Sequence, residues 1–414
     1  MPEILLTSAG LITAAGRGAA PVLAAMDAGK PLFGDGPGGR GLPWPTAPMD
    51  PADIRWPEGG RWANMQKYAN LSAHAAVAAA LLAMDGAEPA AGADALRSGV
   101  VMAVGCSGSD ELGEVFGKLA VRARTDERPL PKLLYDEFPD YSYIRGIPSQ
   151  IGQFVAIATG FRGSNVAVYG EGGAGGLGAL ALARRLLRSG ELDRVIIVGV
   201  APPLAAGILT AYDREDPLGT EASPGRGPFD AERSGAFVGQ SAVAVVLENA
   251  DAAGLFGIAD TPVEVVSCQT LCAPERFNAL VQATRGAVHE AAAGPDLWWS
   301  HASGSVAQDA EAVAAVAPQV CAPVTSSKGT IGASFECGAL VDLVLAAESM
   351  RRACVPPVGL LERPDPAFAG AGADIVTHAP RSLPRAASAL LTALSHSARA
   401  ATAGAAVLSW GGGR

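Results

Sequence analysis

Short unbroken apolar runs recur along the chain, separated by longer Ala-rich stretches. Asn165-Val166-Ala167-Val168-Tyr169, Arg194-Val195-Ile196-Ile197-Val198-Gly199-Val200 and residues 242–247 are too short for helices and rich in β-branched side chains. Such runs predict strands buried on both faces. Further strands are expected at 3–9, 99–104, 262–267 and 404–410. Helices are expected at 18–28, 64–85, 176–188, 275–292, 308–316 and 336–352, with loop at the Pro- and Gly-rich 33–60 and mixed helix and loop at 110–160. Strands alternating with helices predict an α/β fold. At 414 residues the chain exceeds one ordinary core, and two halves meeting near residue 250 are expected, without a sequence repeat that declares them.

Composition narrows the function classes. Half the residues are apolar (49%) and only 17% are charged, which excludes a disordered chain. The net charge of -10 argues against nucleic acid as a partner, because neutralising phosphates needs clustered Lys and Arg. The cysteines at 106, 268, 272, 321, 337 and 354 form no CxxC pair, so reduced thiols, no metal and a cytoplasmic setting are expected. The opening Met1-Pro2-Glu3-Ile4-Leu5-Leu6 reads as a strand rather than a signal peptide, and no apolar stretch is long enough to span a bilayer.

Candidate chemistry gathers at a few points. The glycine-dense turn Tyr169-Gly170-Glu171-Gly172-Gly173-Ala174-Gly175-Gly176-Leu177 joins a strand to a helix. Gly170-x-Gly172-x-x-Gly175 satisfies GxGxxG, but the next strand ends without an acidic residue to hold a ribose, and Glu171 would repel a phosphate. No dinucleotide or other cofactor is therefore expected. The segment Gly227-Pro228-Phe229-Asp230-Ala231-Glu232-Arg233-Ser234-Gly235-Ala236-Phe237-Val238-Gly239 resembles the long RPFDxxRxGFVxGEG signature of β-ketoacyl synthases. Its own residues read as a tight turn held by Asp230 and Arg233. His301-Ala302-Ser303-Gly304-Ser305 with Asp309 is similar to that family's HGTGTxxxD motif, and Lys328-Gly329-Thr330-Ile331-Gly332-Ala333 to its KxxxGH motif.

The resemblance covers nearly the whole chain. It implies a thiolase-like five-layer α/β/α/β/α arrangement with pseudo-symmetric halves, 1–250 and 251–414. It also exposes losses. Counting back from Leu177 puts Gly173 at the family's nucleophilic Cys, and counting forward from Gly163 puts Gly172 there. A glycine cannot carry an acyl thioester. His301 and Lys328 are kept, the second histidine is Ala333, the Glu of the GEG triplet is Gln240, and the gating Gly-Phe-Gly-Gly loop after Ser397 has become Ala398-Arg399-Ala400-Ala401. Loss of the nucleophile, the second histidine and the gating loop at one site implies a retired centre, most similar to chain-length factors. Those pair with an active ketosynthase as a heterodimer, shape its acyl tunnel and meet acyl carrier protein transiently. The alternative is an enzyme of changed activity (acyltransferase, hydrolase or malonyl decarboxylase) using His301 and Lys328. Fold and resemblance together imply that Gly173, His301 and Ala333 lie close together.

Overall fold

The computed structural model describes all residues except 1–2, 35–41, 43, 85–86, 88, 106–108, 139–140, 171, 202–203, 221–225, 252–261, 398, 400 and 412–414. The main strands are β1 (Ile4–Thr13), β2 (Ser98–Val104), β3 (Asn165–Tyr169), β4 (Arg194–Val200), β5 (Ser241–Asn249) and β6 (Val263–Cys272). They continue with β7 (Leu297–Trp299), β8 (Pro323–Thr325), β9 (Asp374–Ile375), β10 (Ala387–Leu394) and β11 (Thr402–Trp410). The helices that position the site are α1 (Leu71–Met84), α2 (Ser149–Thr159), α3 (Gly172–Arg188), α4 (Ala206–Glu215), α5 (Arg276–Ala291), α6 (Val306–Val316) and α7 (Gly338–Arg351).

The strands are ordered β9-β8-β7-β10-β11-β6-β1-β5-β4-β2-β3. From the centre outward, β1-β5-β4-β2-β3 and β6-β11-β10-β7-β8 follow one scheme. In each, the two inner pairings are antiparallel and the two outer pairings are parallel. The two sets meet through a short antiparallel contact, Leu5 opposite Glu264 and Leu6 opposite Val263.

Alternate residues of each strand enter different cores. Val243, Val245 and Leu247 of β5 join a central core with α3 and α7, whereas Ala242, Ala244 and Val246 join an outer core with α1 and α2. On the other side Leu390 of β10 and Val407 of β11 face a third core with α5 and α6, while Leu391 and Leu408 face the central one. Helix α3 packs against strands of both sets, as does α7. The layers are therefore α1/α2, sheet, α3/α7, sheet and α5/α6, the five-layer α/β/α/β/α arrangement of the thiolase-like fold. Burial on both faces is the physical reason β2, β4 and β5 read as continuous apolar runs. β3 departs from that expectation: at the end of the strand order it is only partly buried, with Asn165 and Tyr169 exposed.

Three local differences from the sequence expectation have identifiable causes. The expected helix at 64–85 is split into Gly60–Met65 and α1, because the Asn70 side chain accepts a hydrogen bond from the Ala73 N–H (2.8 Å) and starts a new helix. Helix α3 begins at Gly172 rather than 176, so the glycine turn is its first turn. Strands β7, β8, β9 and β10 and helix α4 were not expected; three of the strands are only two or three residues long.

Candidate functional site

Helix α3 starts where β3 ends, and its first residues are glycine because other chain segments press against them. Gly172 has φ 59, a left-handed conformation that suits glycine. A Cβ there would lie 2.6 Å from the His396 amide nitrogen and 3.0 Å from the Leu394 carbonyl oxygen. A Cβ on Gly173 would point elsewhere, at the His301 ring, 2.9 Å from Nδ1 and 3.1 Å from Cε1. Of the two candidate nucleophile positions, Gly173 is thus the one whose side-chain direction meets His301. Glu171 lies outside the described residues.

His301 follows β7 and is 8% exposed. Its Nε2 lies 2.9 Å from Gln308 Oε1, and the Gln308 amide nitrogen donates to Asp216 Oδ2 (2.7 Å) and the His396 carbonyl (3.2 Å). Both of those partners are acceptors, so the amide oxygen must face the ring. Nε2 therefore carries the proton and Nδ1 presents its lone pair toward Gly173. Burial, followed by the Lys328 cation, pushes the His301 pKa down to about 3, against the raising effect of the Gln308 bond. The imidazole is neutral near pH 7.

Lys328 is also buried. Its Nζ donates to Asp342 Oδ2 (2.6 Å), while Asp342 Oδ1 accepts from Ser327 Oγ (2.8 Å) and Trp299 Nε1 (2.9 Å). This cation ties the segment after β8 to α7, and through the same Asp342 carboxylate Trp299 ties β7, the strand that delivers His301, to α7. Ala333 is held by its backbone: its N–H donates to the Phe237 carbonyl (2.7 Å) and its carbonyl accepts from the Gly239 N–H (3.0 Å). Its methyl packs with Leu209, Leu218, Val238 and Phe335. Phe335 lies 5.1 Å from the His396 ring, centroid to centroid, so the Ala333 segment reaches the Gly172–His396 contact through aromatic packing.

The remaining candidates are structural where they are described. Gln240 Oε1 accepts from the Met49 N–H (3.3 Å), and its own N–H donates to the Ala47 carbonyl (2.8 Å), tying down the 46–49 segment. Ser397 Oγ donates to Glu215 Oε2 (2.8 Å) and accepts from the Arg399 N–H (3.1 Å). Arg399 is exposed, 4.0 Å from Glu215. Ala398 lies outside the described residues. The signature segment is a structural knot: Asp230 accepts from the N–H groups of Glu232, Glu362 and Arg363, each at 2.9 Å. Arg233 pairs with Asp365 at 2.8 Å and lies over the Phe368 ring. Buried Asp309 accepts from the N–H groups of Phe229 (3.1 Å) and Ser303 (2.8 Å), so this knot anchors the loop after His301.

Sequence reasoning missed a second cluster beside the turn. His396 donates from Nε2 to the Tyr212 carbonyl (2.8 Å), and the Tyr212 ring lies 3.8 Å from Phe335. Tyr212 Oη donates to the buried Glu336 carboxylate (2.8 Å). A signal was present: His396 is one of only five histidines, and it stands beside Ser397, which was already singled out. Among the described residues no group of His, Cys, Asp or Glu could hold a metal ion.

Comparison with known proteins decides the family. Residues 62–253 match the model "Beta-ketoacyl synthase, N-terminal domain". The chain is 31% identical over 326 residues, 76% of each chain, to the tetracenomycin polyketide synthase ketoacyl synthase beta subunit of Streptomyces glaucescens. This chain belongs to the β-ketoacyl synthase family. It is also 30% identical, over 69% of each chain, to the actinorhodin polyketide putative beta-ketoacyl synthase 2 of Streptomyces coelicolor. The ishigamide ketosynthase/chain length factor shares the fold, with a TM-score of 0.79 at 19% identity over 99% of both chains. Within the family, the likeness is to ketosynthase-β, or chain-length-factor, subunits. No helix among the described residues is long and apolar enough to cross a membrane.

Proposed function

We propose that this chain is a non-condensing ketosynthase-like subunit that pairs with an active ketosynthase and helps shape the tunnel for its growing acyl chain. The observation that carries this reading is the turn itself: the position that points at His301 is Gly173, which has no side chain to accept an acyl group. A scaffold retained around such a turn has a use as a partner. The likeness to polyketide synthase beta subunits supports a place in polyketide or fatty-acid-like biosynthesis, where acyl carrier protein is a transient partner.

The association surface is assigned to β3 and its surroundings. β3 ends the strand order, and Tyr169 is 65% exposed. An uncovered edge strand of β-branched residues invites aggregation, so a partner is expected to cover it. An interface on the order of 2,000 Å² is expected for an obligate pair. The repeated strand scheme supports two halves divided near residue 250. Pairing is tested by co-expressing the chain with an active ketosynthase from the same source and measuring complex mass: a one-to-one complex is expected, and a stable homodimer indifferent to the ketosynthase overturns the heterodimer.

The changed-enzyme reading is less well supported. A base with its pKa pushed to about 3 is a poor proton acceptor from substrate, and Lys328 is committed to Asp342.

A further inference from the structure

We propose that the His301 ring, latched by Gln308, fills the slot that a side chain on residue 173 would occupy, so that the turn cannot regain a nucleophile by exchange at 173 alone. This deepens the non-condensing reading and rests on Gly173 as the nucleophile position. The latch itself is a property of the isolated chain.

Two adjacent glycines show why the slot is filled rather than vacant. At Gly172 an added Cβ would meet backbone, the His396 amide nitrogen and the Leu394 carbonyl, on a left-handed φ. That obstruction stays whatever the neighbouring side chains are. At Gly173 the obstruction is the His301 imidazole, with the Ala393 methyl next at 3.2 Å. Only a shift of the ring relieves it. The ring is not free to shift, because Gln308 is 2% exposed and its three polar contacts fix it: His301 Nε2, Asp216 and the His396 carbonyl. Gln308 is therefore a positioning residue, acting on the turn through His301. Its amide orientation sets both the ring's place and the nitrogen it presents. Carbon-for-amide exchange at 308 removes all three contacts with little change of volume, which separates the latch from simple packing.

The test is a double-mutant cycle on the purified full chain, read as thermal midpoint, with Gly172→Ala as the internal control. Gly173→Ala is expected to lower Tm by about 2 °C or more in the native background, because overpacking outweighs the gain in helix propensity. In the His301→Ala background the same exchange is expected to leave Tm unchanged or raise it. Gly172→Ala is expected to lower Tm in both. If His301→Ala does not fold, Gln308→Leu serves as the second background, where the loss at Gly173→Ala is expected to shrink. A second readout is alkylation of Gly173→Cys by iodoacetamide, followed at peptide level: it is expected to be faster when combined with Gln308→Leu. Equal Tm losses for Gly173→Ala with and without His301, or equal alkylation with and without Gln308, overturn the latch. These readouts do not involve a ketosynthase, so failure of the pairing reading leaves them intact, and the reverse.

Discussion

At the scale of single residues, two buried groups have separable and measurable consequences. His301 has a folded pKa of about 3 against an ordinary 6.5, so between those values the unfolded chain binds a proton that the folded chain refuses. Its contribution to stability is therefore complete above about pH 6.5 and is lost as pH falls toward 3, at up to about 1.4 kcal/mol per unit. Asp309 has the opposite sign: burial pushes its carboxyl up to about 6, so its protonated form is favoured in the fold as pH falls. Comparing urea midpoints of the native chain and His301→Asn across about pH 5 to 7 cancels Asp309 and the other shared groups. The variant is expected to lose less stability on acidification; parallel curves would contradict the buried neutral ring. Lys328 gives a second expectation. Removing it leaves Asp342 buried without its cation, and Lys328→Met is expected to destabilise by about 3–5 kcal/mol, measured by urea unfolding. A loss under about 1 kcal/mol would mean that Asp342 is served by Ser327 and Trp299 alone.

At the scale of elements, most strands and helices were legible because their burial is uniform along their length. The runs at β4 and β5 are apolar on both faces and short, which leaves few alternatives to a buried strand. β10 was not legible: Ala-Ser-Ala-Leu-Leu-Thr-Ala-Leu suits a helix equally well, and only tertiary pairing with β7 and β11 decides it. The early start of α3 was hidden for a different reason. A glycine run reads as a turn, whereas here close contacts at Gly172 and Gly173 require small residues within a helix. The convergence of Gly173 with His301 followed from the motifs, but the His396–Tyr212–Glu336 cluster did not, because it joins three segments distant in sequence. Asn70 offers a check on element boundaries: Asn70→Ala removes the cap of α1 and is expected to cost about 1 kcal/mol, seen as a lower urea midpoint.

At the scale of the whole molecule, the two sets of strands share a central helical layer, and the strand order ends at β3 with an edge open in the single chain. The partner reading makes that edge the seat of assembly. Tyr169→Asp, at an exposed position, is expected to weaken the complex with the ketosynthase in sedimentation velocity while leaving the thermal midpoint of the isolated chain nearly unchanged. The central claim is that this chain lends its scaffold and not its chemistry. It is tested most directly by mass spectrometry of carrier-bound products after incubation with acyl and malonyl carriers. Three samples are needed: the chain alone, the ketosynthase alone, and the two together. The expected result is no elongation by the chain alone, even as Gly173→Cys, and a product of defined length only from the pair. Condensation by the native chain alone, or identical products at the same rate from the ketosynthase without it, would contradict the account.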